Sequence, residues 1–219
     1  GDFTKSLLGA LAIFGVGFVV RPFGALFFGR IGDMIGRKYT FLVTLLIMGG
    51  ATFVTGLVPS YDRIGWLAPA IVLVLRIFQG LALGGEYGGA ATYVAEYAPD
   101  NKRGYYTSFI QITATGGLIL SILVIVITRK TLGEAAFKEW GWRIPFLLSG
   151  FLVIASYYIR RKLHESPLFA QAKAKGTTST NPLRDSFVNP VNRRLVLIAL
   201  FGVTMGQGVI FYSSKRIRL

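Results

Sequence analysis

Apolar residues in this chain form long, nearly uninterrupted runs separated by polar segments. Six runs are long enough to cross a bilayer, whose apolar core of about 30 Å takes roughly 20 helical residues. They are the segments 7–28, 40–58, 66–97, 105–128, 141–159 and 195–212. No stretch alternates apolar and polar residues as a half-buried strand does. The pattern predicts an all-α integral membrane protein with six transmembrane helices.

Composition and charge agree with a membrane protein. The chain is 53% hydrophobic and 16% charged, whereas soluble domains carry about 25% charged residues. A net charge of +14 could suit nucleic acid, but the basic residues lie between apolar runs. Loop lysines and arginines orient membrane helices, so we expect a lipid bilayer and no nucleic-acid partner. Thirteen of these residues fall on one side, against eight on the other. That count predicts a multi-pass membrane protein with segment 160–194 in the cytoplasm.

Residue types that serve enzymes and metal sites are scarce. The chain has no cysteine and a single histidine, His164. A thiolate metal site is therefore excluded, and no Ser/His/Asp or metal-ligand spacing is present. The sequence predicts no enzymatic activity, no metal and no cofactor.

Charge and glycine concentrate at the predicted cytoplasmic ends of the first three spans. The first connection carries the residues Gly29, Gly32, Asp33, Gly36, Arg37 and Lys38. Glu96 and Arg103 follow at the end of the third span, where Pro99 stops the helix. Two interpretations stay open. In the first, the four charged residues form a cluster that latches the cytoplasmic side: Asp33, Arg37, Glu96 and Arg103. In the second, they form separate solvated pairs that stabilise the fold by under about 1 kcal/mol each.

Polar side chains inside the apolar spans are the candidate transport residues. They are Arg21, Arg76, Gln79, Glu86, Tyr87, Tyr93 and Gln111. A charge within a bilayer costs about 2.5–3.5 kcal/mol on insertion scales, so it faces a partner or a water-filled cavity. In the third span we favour substrate or proton handling over a static ion pair. Arg21 is equally an anion-binding group or a structural charge partner, and Gln111 lines a cavity or bonds to backbone.

Small residues recur every four positions along the third span. Gly80, Gly84 and Gly88 form this ladder. Small residues at this spacing let membrane helices approach closely. No strand precedes the ladder, so we expect close helix packing and no phosphate binding.

These motifs together resemble the major facilitator superfamily. Segment 29–38 is similar to its loop between helices two and three, Arg76-x-x-Gln79-Gly80 to its fourth-helix motif, and 96–104 to the cytoplasmic end of that helix. Further motifs resemble the metabolite:proton symporter branch, which includes proline/betaine, shikimate, 2-oxoglutarate and citrate carriers. They are Arg21-Pro22, Pro59-Ser60-Tyr61, Gly84-Gly85-Glu86-Tyr87-Gly88, Trp140-Gly141-Trp142-Arg143 and Glu165-Ser166-Pro167.

The resemblance implies a domain organisation and a function. The six spans would match helices two to seven of a twelve-helix carrier. Segment 1–159 would be an N-terminal bundle without its first helix, 160–194 a linker, and 195–219 the truncated start of the second bundle. The implied function is proton-coupled symport of a small polar or carboxylated metabolite across the inner (plasma) membrane. In that function Arg76 would pair with an acidic residue of the first helix, and protonation of Glu86 would be the coupling event. As such a fragment the chain could instead be a non-transporting half-bundle that associates with other membrane subunits.

Overall fold

A computed structural model describes residues 2–204, and none of them forms a strand. This confirms the predicted all-helical class. The chain divides into two compact units, Gly1–Thr177 and Thr178–Leu219. The α-helices of the first unit are α1 (Asp2–Val19), α2 (Arg21–Met34), α3 (Arg37–Leu57), α4 (Tyr61–Ile64), α5 (Leu67–Tyr97), α6 (Arg103–Leu132), α7 (Glu134–Glu139), α8 (Ile144–Lys162) and α9 (Pro167–Ala174). Short 3₁₀ turns cover Asp100–Lys102 and Gly141–Arg143.

Five predicted spans are confirmed as helical segments long and apolar enough to cross a membrane. They are Leu7–Met34, Arg37–Leu57, Leu67–Tyr97, Asp100–Leu132 and Gly141–Lys162. The first is longer than the predicted segment 7–28, because α2 continues through the glycine-rich stretch that was expected to be a loop. The tight turn is confined to Ile35 and Gly36, and Gly36 has a φ of 133° that favours glycine.

The first span is interrupted at Val20, between α1 and α2. Pro22 occupies the first turn of α2, where its missing N–H is tolerated. It cannot donate to the carbonyl four residues earlier, so continuous hydrogen bonding stops there. The break places Arg21 halfway along the segment Leu7–Met34.

Helix α5 is the central element of the first unit, and α1, α2, α3 and α6 all contact it. The predicted glycine ladder makes two of these contacts possible. A methyl group on Gly84 would overlap the Arg21 carbonyl, and one on Gly80 would overlap the Gly17 carbonyl. Gly88 has open space at the same position, so the ladder acts in packing at its first two members.

The second unit is described up to residue 204. It contains α10 (Pro182–Val188), α11 (Pro190–Leu197) and a π-helical segment, Ile198–Thr204. The predicted span 195–212 begins in α11 and extends beyond the described residues. The tail 213–219 lies entirely outside them. That span and the three predicted domain boundaries stay predictions.

Candidate functional site

A cavity of about 180 Å³ lies among α1, α2, α3, α5 and α8, and it brings three predicted residues together. Its lining residues are Phe14, Gly17, Phe18, Arg21, Met48, Thr52, Arg76, Gln79, Gly80, Leu83 and Phe146. We call this space the central cavity. Two guanidinium groups line it, and no carboxylate does among the side chains that the structure describes. The central cavity is therefore positively charged and suited to an anion.

Arg76 is held in place by a chain of hydrogen bonds. Its Nη1 donates to Gln79 Oε1 at 2.8 Å, and Gln79 Nε2 donates to Thr52 Oγ1 at 3.0 Å. Thr52 Oγ1 in turn donates to the Met48 carbonyl at 2.8 Å. Because Gln79 is neutral, this chain orients the Arg76 guanidinium and leaves its charge uncompensated.

Arg21 lies on the other wall of the central cavity. Its guanidinium carbon is 4.0 Å from the centre of the Phe18 ring, a cation–π distance. Its Nε is buried and has no hydrogen-bond partner among residues 2–204. A buried donor without a partner costs about 1–3 kcal/mol, which a bound acceptor would recover. This favours anion binding over the structural charge pair that the sequence left equally open.

Charged residues at the ends of α2, α3 and α5 meet in a second cluster. Arg37 Nη1 lies 2.6 Å from Asp33 Oδ1, and Arg37 Nη2 lies 3.7 Å from Glu96 Oε1. The side chains of Arg37 and Glu96 are 16% and 17% exposed, so this pair is better shielded than an ordinary surface pair. Three of the four predicted charges therefore meet. The fourth, Arg103, forms an ion pair at 2.7 Å with Asp100, which lies three residues earlier in the chain.

Glu165 completes this cluster from the segment 163–166, which connects α8 to α9 and which we call the strap. Its Oε1 accepts hydrogen bonds from the backbone N–H of Arg37 at 2.9 Å and of Lys38 at 3.3 Å. These groups are the unpaired donors at the positive end of α3, so the carboxylate caps that helix. A side chain on Gly36 would overlap the Glu165 carboxylate, which explains glycine at this turn.

Aromatic side chains of α5 hold the strap from the other side. Tyr93 Oη donates to the His164 carbonyl at 2.9 Å, and Tyr97 Oη donates to the Glu165 carbonyl at 3.0 Å. Ser166 is fully buried and its Oγ accepts from the Phe169 N–H at 3.1 Å, which starts α9. Tyr93 therefore belongs to the strap contact and does not reach the central cavity.

Glu86 forms an ion pair with Arg160 at the end of α8. Arg160 Nη1 also donates to the Phe41 carbonyl of α3 at 2.9 Å. The two charged side chains are 20% and 24% exposed, so the pair is largely shielded. Glu86 does not line the central cavity. The pair instead joins α3, α5 and α8 between that cavity and the strap.

Two of the remaining predicted residues, Tyr87 and Gln111, lie apart from the central cavity and from the cluster around Arg37. Tyr87 is 55% exposed, and Gln111 is exposed on α6. Gly29, Gly32 and Lys38 flank the cluster around Arg37, and an added carbon on Gly32 would lie 3.2 Å from Arg37 Nη1. Nothing in the structure gives Tyr87 or Gln111 a contact with the central cavity.

Sequence reasoning missed three contributors to these sites: Thr52, Arg160 and Glu165. Arg160 looked like one of several loop cations, and Thr52 is a small polar residue in an apolar span. Glu165 belonged to a motif that carried the family resemblance but suggested no role. Its position before Ser166-Pro167, a helix start, was the available signal.

Comparison with known proteins gives a consistent relationship. The family model of the sugar (and other) transporter family matches residues 4–209. The chain is 38% identical over 213 residues to the alpha-ketoglutarate permease of Escherichia coli K12, covering 97% of this chain and 48% of that protein. It is 45% identical over 170 residues to the proline/betaine transporter of the same organism, covering 78% and 34%. The inner membrane metabolite transport protein YhjE of E. coli is 46% identical over 176 residues, covering 80% and 40%. The chain thus spans less than half the length of these relatives.

Solved structures of the xylose transporter XylE from E. coli share the fold. The partially occluded inward-open form has a TM-score of 0.61 and 22% identity, covering 94% of this chain and 50% of that one. A double tryptophan mutant of XylE has a TM-score of 0.66 and 21% identity, covering 95% of this chain and 46% of that one. With a family model along nearly its whole length and transporters among its relatives, one of them an inner membrane metabolite transport protein, this chain is a multi-pass inner-membrane protein of the sugar (and other) transporter family, within the major facilitator superfamily.

Proposed function

We propose that this chain provides one half of the substrate cavity of a proton-coupled carrier for a small carboxylated metabolite. The observation that carries the proposal is the central cavity, where Arg21 and Arg76 meet without an acidic residue. Arg21 contributes an unpartnered Nε and Arg76 an uncompensated charge. A carboxylate oxygen accepts hydrogen bonds from guanidinium groups in a fixed geometry, and such bonds are about twice as strong as neutral ones.

Size and relatives support a small substrate. The central cavity of about 180 Å³ lies below the 300–1,000 Å³ of drug-sized sites. The substrates in the names of the relatives, alpha-ketoglutarate, proline and betaine, each carry a carboxylate. We infer a metabolite with one carboxylate for Arg21 and Arg76 and a compact body against Phe14, Phe18 and Met48.

The proposal includes the rest of the carrier. Alternating access rocks two halves around a site near the bilayer midplane, and the chain spans half or less of its relatives. We therefore assign its spans to helices two to seven of a twelve-helix carrier, with 160–194 as the cytoplasmic linker. On this assignment the cluster of Asp33, Arg37 and Glu96, capped by Glu165, holds the cytoplasmic side closed in one state. The non-transporting half-bundle finds no support in the relatives, which are transporters.

Replacing Arg21 by glutamine in the complete carrier should weaken binding of carboxylates selectively. We expect the apparent affinity for the preferred carboxylate to fall at least tenfold, because one charge-assisted hydrogen bond is worth about 1.5–3 kcal/mol. The measurement is thermal stabilisation of the purified carrier by alpha-ketoglutarate, proline, betaine and xylose. Arg103→Gln removes an exposed arginine and serves as the matched control. Equal stabilisation of the Arg21→Gln variant and the wild type would contradict the role of the cavity.

Proton coupling is assigned to the Glu86–Arg160 pair. Protonation of Glu86 would remove the charge that holds Arg160 and so loosen the junction of α3, α5 and α8. Glutamine at position 86 resembles the protonated acid and can neither gain nor lose the proton. In Glu86→Gln we expect substrate accumulation driven by a pH gradient to be lost, while exchange of substrate across the membrane stays within about threefold of the wild type.

The coupling experiment measures both reactions in the same proteoliposomes. Arg160→Gln is combined with Glu86→Gln so that no unpaired buried charge confuses the result. Glu134→Gln, an exposed glutamate between α6 and α8, is the control. Accumulation that still follows the pH gradient in Glu86→Gln would assign the proton to another group.

A further inference from the structure

The end of the first unit opposite the strap carries a larger and more polar cavity, of about 600 Å³. It lies between the chain after α3 and the turn between α7 and α8. Its charged and aromatic lining includes Asp62, Arg63, Glu139, Trp142 and Arg143. None of them lines the central cavity. We call this space the outer cavity.

Arg143 fixes the walls of the outer cavity. Its Nη2 donates to the Val58 carbonyl at 3.1 Å, and its Nη1 donates to the Glu139 carbonyl at 3.5 Å. Its guanidinium carbon is 4.3 Å from the centre of the Trp142 ring. One side chain thus ties the two loops together, so the cavity is formed before any ligand binds. Its partners are neutral, which leaves its positive charge uncompensated.

Three other charged side chains around the outer cavity are unpaired among the described residues. Within residues 2–204, the side chains of Asp62, Arg63 and Glu139 make no ion pair or hydrogen bond. Two cations, Arg63 and Arg143, and two carboxylates, Asp62 and Glu139, therefore line one space. A simple anion would be repelled by the carboxylates and a simple cation by the guanidinium groups. A zwitterion can satisfy both.

Neighbouring charges do not change this balance. Lys138 also lines the cavity, but its Nζ lies 3.6 Å from Glu134 Oε1. The hydrogen bond from Arg129 holds the pKa of the Glu134 carboxyl below its usual range, so that carboxylate stays ionised beside Lys138. The charges free to meet a ligand are those of Asp62, Arg63, Glu139 and Arg143.

The outer cavity lies at the level of lipid headgroups. Its two loops connect the ends of four candidate spans, at Leu57, Leu67, Leu132 and Gly141. Trp66 and Trp140 beside these ends are 80% and 54% exposed. Exposed tryptophan at span ends is typical of the membrane–water interface. The zwitterion closest at hand there is a phospholipid headgroup.

We propose that the outer cavity binds the phosphoethanolamine headgroup of a zwitterionic phospholipid. The phosphate lies between Arg63 and Arg143, which can offer it several N–H donors. The ammonium lies against Asp62 and Glu139, with the Trp142 ring as a further cation-binding surface. This site shares no lining residue with the central cavity.

The test is lipid-dependent thermal stability of the purified full-length protein in detergent. Phosphatidylethanolamine, phosphatidylcholine and phosphatidylglycerol with identical acyl chains are added separately, together with free glycerophosphoethanolamine. We expect phosphatidylethanolamine to raise Tm most. Phosphatidylcholine should act more weakly because its ammonium has no N–H to donate. In Asp62→Asn combined with Arg63→Gln, the apparent affinity for phosphatidylethanolamine should fall at least tenfold.

The variants separate lipid binding from folding. Asp62 and Arg63 are exposed, so their replacement should leave Tm without lipid unchanged. Asp100→Asn combined with Lys102→Gln makes the same change in charge at the opposite end and should keep the lipid response. Equal stabilisation by phosphatidylglycerol, or a full response in the Asp62/Arg63 variant, would overturn the proposal. If free glycerophosphoethanolamine raised Tm as much as phosphatidylethanolamine does, the proposed lipid ligand would be wrong and the site would bind a soluble zwitterion.

Discussion

Replacing Arg76 by lysine is expected to abolish proton-driven uptake by the complete carrier. Arginine offers a planar set of donors, one of which is used to hold Gln79 at 2.8 Å while the others face the central cavity. Lysine offers a compact charge that cannot keep the Gln79–Thr52 chain and bind a carboxylate in the same geometry. A loss of about 3 kcal/mol from two weakened charge-assisted bonds corresponds to roughly a hundredfold in rate.

The measurement is initial uptake of the preferred carboxylate under an imposed pH gradient, normalised to the amount of carrier in the membrane. Arg103→Lys is the matched control, because Arg103 is exposed and, within the described residues 2–204, its ion pair is with Asp100 alone. It should retain uptake within about twofold. Accumulation at the wild-type level in Arg76→Lys would remove Arg76 from the mechanism, even if Arg21 proved essential.

The second large effect is expected from a single methyl group on the glycine ladder. In Gly84→Ala the new Cβ would overlap the Arg21 carbonyl oxygen and lie 3.0 Å from the Ala25 nitrogen. These atoms are backbone, so α2 and α5 must separate to make room. Overpacking of this kind costs about 1–3 kcal/mol. The separation also displaces Arg21, so substrate binding should weaken together with stability.

Gly88 provides the control for that experiment on the same helix. Four residues further along α5, it has nothing within 4 Å of an added Cβ. Alanine is favoured over glycine in helices by about 1 kcal/mol, so Gly88→Ala should be neutral or slightly stabilising. Thermal unfolding in detergent compares the two variants. Equal Tm values would mean that α2 and α5 do not touch at Gly84.

The helical framework could be predicted because its signal is local. A run of about twenty apolar residues determines a span by itself, and the four-residue glycine spacing predicts a packing face. The break at Val20 follows from Pro22 in the same way. The predicted end of the first span was too early, because α2 continues through the glycine-rich stretch to Met34. The glycines there allow neighbouring atoms to come close and do not form a long loop.

The site could be predicted only in part because its partners are distant in sequence. Arg21 and Arg76 were recognised as costly charges, but their shared cavity depends on how α2 crosses α5. Glu86 and Arg160 are 74 residues apart, and Arg37 and Glu165 are 128 apart. No spacing rule links such pairs. Arg103 shows the opposite case, since a neighbour three residues away takes the place of the predicted distant partner.

The contacts that α8 and the strap make with α3 and α5 restrict the number of residues between Arg160 and Glu165. Arg160 binds Glu86 and the Phe41 carbonyl, and Glu165, five residues later, caps the start of α3. One residue of extended chain spans about 3.3–3.6 Å. An insertion or deletion between the two contacts would therefore move one of them out of hydrogen-bonding range. The residues between them can change in character, but their number is fixed by the two helices that they bridge.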